Sequence, residues 1–182
     1  MKQEVLLLGN PILRKKCIEV SNFEDKEILH EIETLKDALT NFRQSHGFGR
    51  GIAAIQIGIE KRIVTLNLGK GNFVIINPQI IWRSKETFTL WDDCMSFPDL
   101  VVKVRRNNSI TIEYQDESGK TQKWERLGQS EAELLQHEID HLDGIMATDR
   151  ALDVKDIIYK CEYDKQHQYY RNQVDYEISA TF

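Results

Sequence analysis

The chain lacks what marks membrane, secreted or fibrous proteins. Its longest purely apolar runs, such as residues 5–8 and 73–76, fall far short of the roughly 20 residues that cross a bilayer. Three prolines and ten glycines in 182 residues are too few for a collagen-like, linker-like or low-complexity chain. Cysteine is scarce too: Cys17, Cys94 and Cys161 are odd in number and widely spaced, which excludes a dense disulfide framework and suits a reducing compartment. Positive charge is in deficit, with 24 Lys and Arg against 29 Asp and Glu, a net charge of −5. No global field therefore draws the molecule onto phosphate backbones or anionic lipid, and neither nucleic acid nor membrane is an expected partner. The opening Met1-Lys2-Gln3-Glu4 has no long apolar stretch of the secretory kind, so a cytoplasmic location is expected.

What remains, 41% apolar and 29% charged residues, is the composition of an ordinary globular protein, and the length suits one domain over residues 1–182. Residues 21–43 open on a capping-box pattern, Ser21 to Glu24, and then place Ile28, Ile32, Leu35, Leu39 and Phe42 at helical steps. This helix should stop in the loop Ser45 to Gly51, where Gly47, Gly49 and Gly51 permit positive φ or a close backbone approach. From Arg62 to Arg126 the texture turns β-prone: residues 62–66, 73–77, 100–104, 109–114 and 121–126 read as strands, with a hairpin turn at 116–120. A second capping-box pattern, Ser130 to Glu133, starts a helix that runs to about Asp143. Helix, strands and helix predict an α+β domain. The tail is helix-compatible through Val154, Ile157, Ile158 and Cys161, then turns polar and is expected to form a loose arm.

The sharpest motif is His137-Glu138-Ile139-Asp140-His141. Residues four apart lie about 40° apart around a helix, so His137 and His141 suit one shared cation, and Glu138 falls about 60° from His141. A carboxylate there is placed to take a proton from water at the cation. The competing reading, two surface histidines and a solvated glutamate, is the usual one for lone histidines. Softness and burial favour a cysteine as third ligand, and Cys94 stands between strand-like segments. Spacing leaves open whether it reaches the helix.

Three ordered motifs resemble the peptide deformylase family. Gly49-Arg50-Gly51-Ile52-Ala53-Ala54-Ile55-Gln56 and Gln136-His137-Glu138-Ile139-Asp140-His141-Leu142-Asp143-Gly144 meet its first and last patterns in full, and Asp92-Asp93-Cys94-Met95-Ser96 keeps its middle pattern in part. Weaker likeness extends from Leu8 to Arg150. The resemblance implies mixed or antiparallel sheets packed around the histidine-bearing helix, and removal of the formyl group from N-formylmethionyl peptides by metal-activated water. It implies Cys94, His137 and His141 as ligands of one divalent metal, usually ferrous iron, with zinc, nickel or cobalt able to substitute. Glu138 would move the proton, and the Gln56 amide and Met95 backbone N–H would hold the oxyanion. Gly49, Arg50, Gly51, Asp93 and Leu134 would face the substrate.

Four positions depart from the family pattern. Arg50 stands for an aliphatic residue, Asp92 for glutamate, Asp93 for glycine and Met95 for leucine. The Met95 change nearly conserves volume. Arg50 and Asp93 bring one charge of each sign to loops thought to flank the substrate, which suggests an ion pair across the cleft mouth, or a changed acyl group or polar first residue. Shortening at Asp92 would alter a hydrogen bond that orients the site. Two other functions stay open, a relative acting on another N-formyl or N-acyl amine and a non-catalytic metal-binding homologue. Deformylases of the best-known type carry a basic C-terminal helix, whereas residues 151–182 hold four Lys or Arg against six Asp or Glu. Cosedimentation with ribosomes at low salt should therefore detect little binding through this tail; strong, salt-sensitive binding lost on truncation would contradict that.

Overall fold

A computed structural model describes residues 3–178 of the chain. Helix α1 spans Lys26–His46 and buries Ile28, Ile32, Leu35, Leu39 and Phe42, the stripe expected from their spacing. It starts later than the capping-box pattern suggests. Asn22 Oδ1 accepts from the Glu24 N–H at 3.2 Å and turns the chain, so Asp25 caps instead, accepting from the Glu27 N–H at 2.9 Å. Gly47, at φ 74°, ends the helix.

The strands are β1 Gly51–Ala53, β2 Ile63–Asn67, β3 Asn72–Arg83, β4 Thr87–Asp93, β5 Leu100–Asn107, β6 Ile110–Gln115, β7 Thr121–Leu127 and β8 Ile157–Tyr159. They form a five-stranded sheet in the order β1-β2-β3-β6-β7 and a three-stranded sheet in the order β4-β5-β8. Every pairing of these strands is antiparallel. Alternation gives the large sheet two apolar faces. Ile63, Val74 and Ile76 pack with α1, whereas Val64, Leu66, Ile75, Ile110 and Ile112 pack with Ala132, Leu135, Ile139 and Leu142 of helix α2, Gln129–Leu142.

Helix α2 touches β1 and β7 of the large sheet and β5 of the small one. Gln136 pins it to the small sheet, accepting from the Asn107 N–H at 2.9 Å and donating to the Asn107 carbonyl at 3.1 Å. The expected capping box at Ser130 does not form. The helix begins at Gln129 after Gly128, with no side-chain cap, and the Glu133 carboxylate turns instead to a partner from another loop.

The tail also departs from expectation. Ile157–Tyr159 is a strand, with Ile158 opposite Val101. Helices α3, Lys160–Lys165, and α4, His167–Arg171, follow. The arm is packed through residue 178. The Trp91 Nε1–H donates to the Tyr170 carbonyl at 3.0 Å, Asp175 Oδ2 accepts from the Thr89 N–H and Oγ1–H at 2.9 and 2.8 Å, and Tyr176 meets Phe88 edge-on. Residues 179–182 of the expected arm lie outside the described residues. Among the described residues, no helix is long and apolar enough to cross a membrane.

The two candidate caps of α1 are separable by mutation. Asp25→Ala should lower stability by about 0.5–2 kcal/mol, and Ser21→Ala should stay within about 0.5 kcal/mol of the parent in urea unfolding.

Candidate metal centre

Four residues apart on α2, His137 and His141 turn their Nε2 atoms toward one point, 3.0 Å from each other. Cys94 follows directly on β4 and brings its Sγ to 3.2 Å from His141 Nε2. All three donor atoms lie within 4.8 Å of one another and all three residues are buried. Burial raises the pKa of the Cys94 thiol, partly offset by His137, and a sulfur and two imidazole nitrogens converging in this way form a donor set that a shared soft-tolerant cation satisfies. The donor set therefore fits a divalent metal ion.

A buried network orients these donors. His137 Nδ1 lies 3.0 Å from Asp92 Oδ2, which leaves Nε2 as the atom facing the other donors. Arg106 reaches the same Asp92 oxygen at 3.2 Å and Asp140 Oδ2 at 2.5 Å, and Arg150 holds Asp140 from outside at 2.8 Å. Burial works against the charged form of Asp92, yet His137 and Arg106 outweigh it and bring its carboxyl down to about 2. Asp92 thus stays ionised, and the shortened side chain still reaches His137.

Glu138 sits beside the donors, buried, with Oε2 lacking a hydrogen-bond partner among the described residues. Burial pushes its carboxyl up to about 7, partly offset by His137. Gly51 makes room for it, since a Cβ there would stand 2.7 Å from Glu138 Oε1. Gly49, at φ +114°, similarly leaves space for the Met95 side chain. Gln56 is fixed at both ends of its amide: Oε1 accepts from the Ala53 N–H at 2.9 Å, and Nε2 donates to Ser96 Oγ at 3.1 Å while lying 3.6 Å from Cys94 Sγ. Ser96 in turn donates its N–H toward Cys94 Sγ at 3.4 Å.

These groups open into a cavity of about 350 Å³. Gly49, Arg50, Gly51, Gln56, Asp93, Cys94, Met95, Leu134, His137 and Glu138 all line it, so the structure brings nearly every sequence-derived candidate together. His141 is buried behind them. The expected Arg50–Asp93 ion pair is not formed. Arg50 instead pairs with Glu133 and donates to the Ser130 carbonyl at 3.1 Å, because α2 presents Glu133 directly to the loop that carries Arg50.

Sequence reasoning missed Glu133, Arg106 and the tail residues Tyr163, His167 and Tyr176, which also line the cavity or support it. Glu133 had one legible signal: it stands four residues before His137, on the same helical row.

Comparison with known proteins agrees with this geometry. The sequence model of the family described as polypeptide deformylase matches residues 2–156. The chain is 33% identical over 159 residues to a peptide deformylase of Thermotoga maritima, covering 86% of this chain and 91% of that protein. It is 37% identical over 147 residues to one of Heliobacterium modesticaldum, covering 81% and 92%. Among solved structures, the Thermotoga maritima peptide deformylase superposes with a TM-score of 0.76 at 31% identity, over 84% of this chain and 99% of that one. A peptide deformylase from Legionella pneumophila gives 0.77 at 28% identity, over 95% and 98%. The sequence match and the shared fold together establish that this chain belongs to the polypeptide deformylase family.

Proposed function

We propose that this chain is a peptide deformylase that hydrolyses the formyl amide at the N terminus of formylmethionyl peptides, giving formate and a free amine. The observation that carries the reading is the convergence of Cys94 Sγ, His137 Nε2 and His141 Nε2 beside a buried, partnerless Glu138 oxygen. In this reading Cys94, His137 and His141 hold one divalent metal, ferrous iron by family resemblance, and the same donor set suits zinc, nickel or cobalt. When bound, such an ion supplies Lewis acidity, polarising a carbonyl and making water acidic enough to attack near neutral pH.

The remaining work falls to the chain. Glu138 accepts the proton of the attacking water and delivers it to the departing nitrogen, a role its raised affinity for protons suits. The Gln56 Nε2–H and the Met95 backbone N–H donate to the oxyanion as the carbonyl carbon becomes tetrahedral. Ser96 Oγ holds one Gln56 N–H, and the second, which faces Cys94 Sγ at 3.6 Å, is the one that turns to the oxyanion. Strand β1 is the edge of the large sheet, and its backbone, with Gly49 and Gly51 before and at its start, offers an extended peptide a strand to pair with. Main-chain pairing reads few side chains, which suits an enzyme that meets many sequences after the first residue. A metal-binding homologue without turnover would need neither Glu138 nor Gln56 in these positions.

Formate release from a formyl-Met tripeptide by the anaerobically purified, iron-loaded protein tests the reading. Glu138→Ala should lower kcat by about 10²–10⁴ while elemental analysis still finds one metal per chain. Parent and variant turning over equally would sink the assignment. The orienting network predicts a different phenotype for Asp92→Ala, a fall in metal affinity of about 10–100-fold in chelator competition. An unchanged affinity would mean that Asp92 does not orient His137.

A further inference from the structure

Resting on the deformylase reading, we infer that the C-terminal arm, residues 160–178, is the outer wall of the substrate cleft and binds the peptide beyond its first residues, through contact that is indifferent to side-chain charge. The cavity has a buried floor and an open rim. Gln56, Cys94, His137 and Glu138 line it and are buried, so a formyl group handled there sits at the bottom. Among the described residues, those that line it and are exposed are Gly47, Asp164, His167 and Glu177, and all but Gly47 belong to the arm. Six extended residues span about 20 Å, far more than a cavity of about 350 Å³ encloses. A peptide with its first residue at the floor therefore leaves over this rim.

Specific contacts hold the arm in that position. Tyr163 stacks on Tyr170 with ring centroids 5.9 Å apart, and the two rings lie 6.1 and 5.3 Å from that of Trp91 on β4. The segment after α4 is strapped back: Asp175 accepts from Thr89, and Glu177 pairs with His167 and with Arg171, the latter at 3.1 Å. Tyr163, His167 and Tyr176 thereby line the cavity with rings whose places are fixed. Such rings offer contact area at little cost in conformational entropy. The charges of the arm are meanwhile answered within the chain. Glu177 takes His167 and Arg171, and Lys160 stands 3.8 Å from Asp164 and also faces Asp93. A passing side chain of either sign thus gains little, whereas peptide backbone and the carbon stems of any side chain gain from the rings. Tyr163 and His167 are in this account residues that favour long peptides over short ones.

The test measures kcat and KM by formate release from a formyl-Met tripeptide and from two hexapeptides that extend it, one with lysine and one with glutamate at the fourth position. The parent should show a KM about 3- to 10-fold lower for both hexapeptides than for the tripeptide, the range of one net hydrogen bond or ring contact. The two hexapeptides should agree within about twofold, as exposed charges allow. In Tyr163→Ala and in His167→Ala, each with its melting temperature recorded beside the parent's, the ratio of tripeptide to hexapeptide KM should fall toward one. Equal KM values for the three peptides in the parent overturn the inference and leave the deformylase reading standing. A ratio kept in the variants, even at lower turnover, also overturns it, because the arm then only supports the fold. If Tyr163→Ala fails to fold, His167→Ala decides, its side chain being 48% exposed. A preference of about tenfold between the lysine and glutamate peptides, beyond what exposed charges supply, overturns the indifference to charge. Formate from none of the peptides rejects the deformylase reading and this inference together.

Discussion

Two imidazoles on one helical row are held together by local geometry alone, but the thiolate they need comes from a different sheet. Everything about the site follows from holding Cys94 against α2. The helix is clamped from two sides: its apolar face lies on the five-stranded sheet, and Gln136 exchanges two hydrogen bonds with Asn107 at the end of β5. Along β5, Asn107 stands opposite Thr87 and Val101 opposite Asp93, so that clamp holds the end of β4 away from Cys94, and the end beside Cys94 is held to the helix by Asp92. Asp92, one residue before Asp93 on that strand, then reaches His137 and is itself held by Arg106. Replacing such a buried pair with apolar groups is often neutral for stability, whereas removing one partner leaves a charge stranded. The network's role is thus orientation rather than stability.

Local signals carried much of this to the reader of the sequence, and tertiary pairings hid the rest. The α1 stripe and the histidine pair were legible because a 3.6-residue period is written in the chain itself. Strand β4 was not assigned, although Phe88 and Leu90 alternate with threonines, because it ends in two aspartates that look like a turn. Asp92 is buried there only since Arg106 and His137 come to meet it. Ile157 and Ile158 lie at spacings a helix would also use, and pairing with β5 decided for strand. Glu133 passed for a capping residue because its sequence offset fits one; its partner, 83 positions away, was invisible. The placement of Gly49, Gly51, Gln56, Asp93 and Leu134 on one cavity came through the family motifs, since no spacing rule joins loops so far apart.

The departures from the family pattern are not scattered. Arg50, Asp93 and Asp92 all fall on or behind one cavity wall. Asp92 keeps contact with His137 despite its shorter side chain, so that change is absorbed within the network that orients the His137 ring. Arg50 is absorbed by Glu133, which turns one foreign charge into a neutral buried pair. Asp93 lies half-buried on the same wall and faces the charges of Arg50, His137 and Lys160. The C-terminal arm adds to this wall: Trp91, on β4, is covered by Tyr163 and Tyr170, so the cavity is bounded by residues that lie beyond the segment matched by the family model.

The central claim is that one thiolate and two imidazoles hold the metal. X-ray absorption at the metal edge of the cobalt-loaded protein reads those ligands directly. The account predicts one sulfur scatterer at about 2.3 Å beside nitrogen or oxygen neighbours, with the sulfur shell lost in Cys94→Ser. A spectrum with no sulfur in the parent, or with sulfur retained in Cys94→Ser, would contradict it.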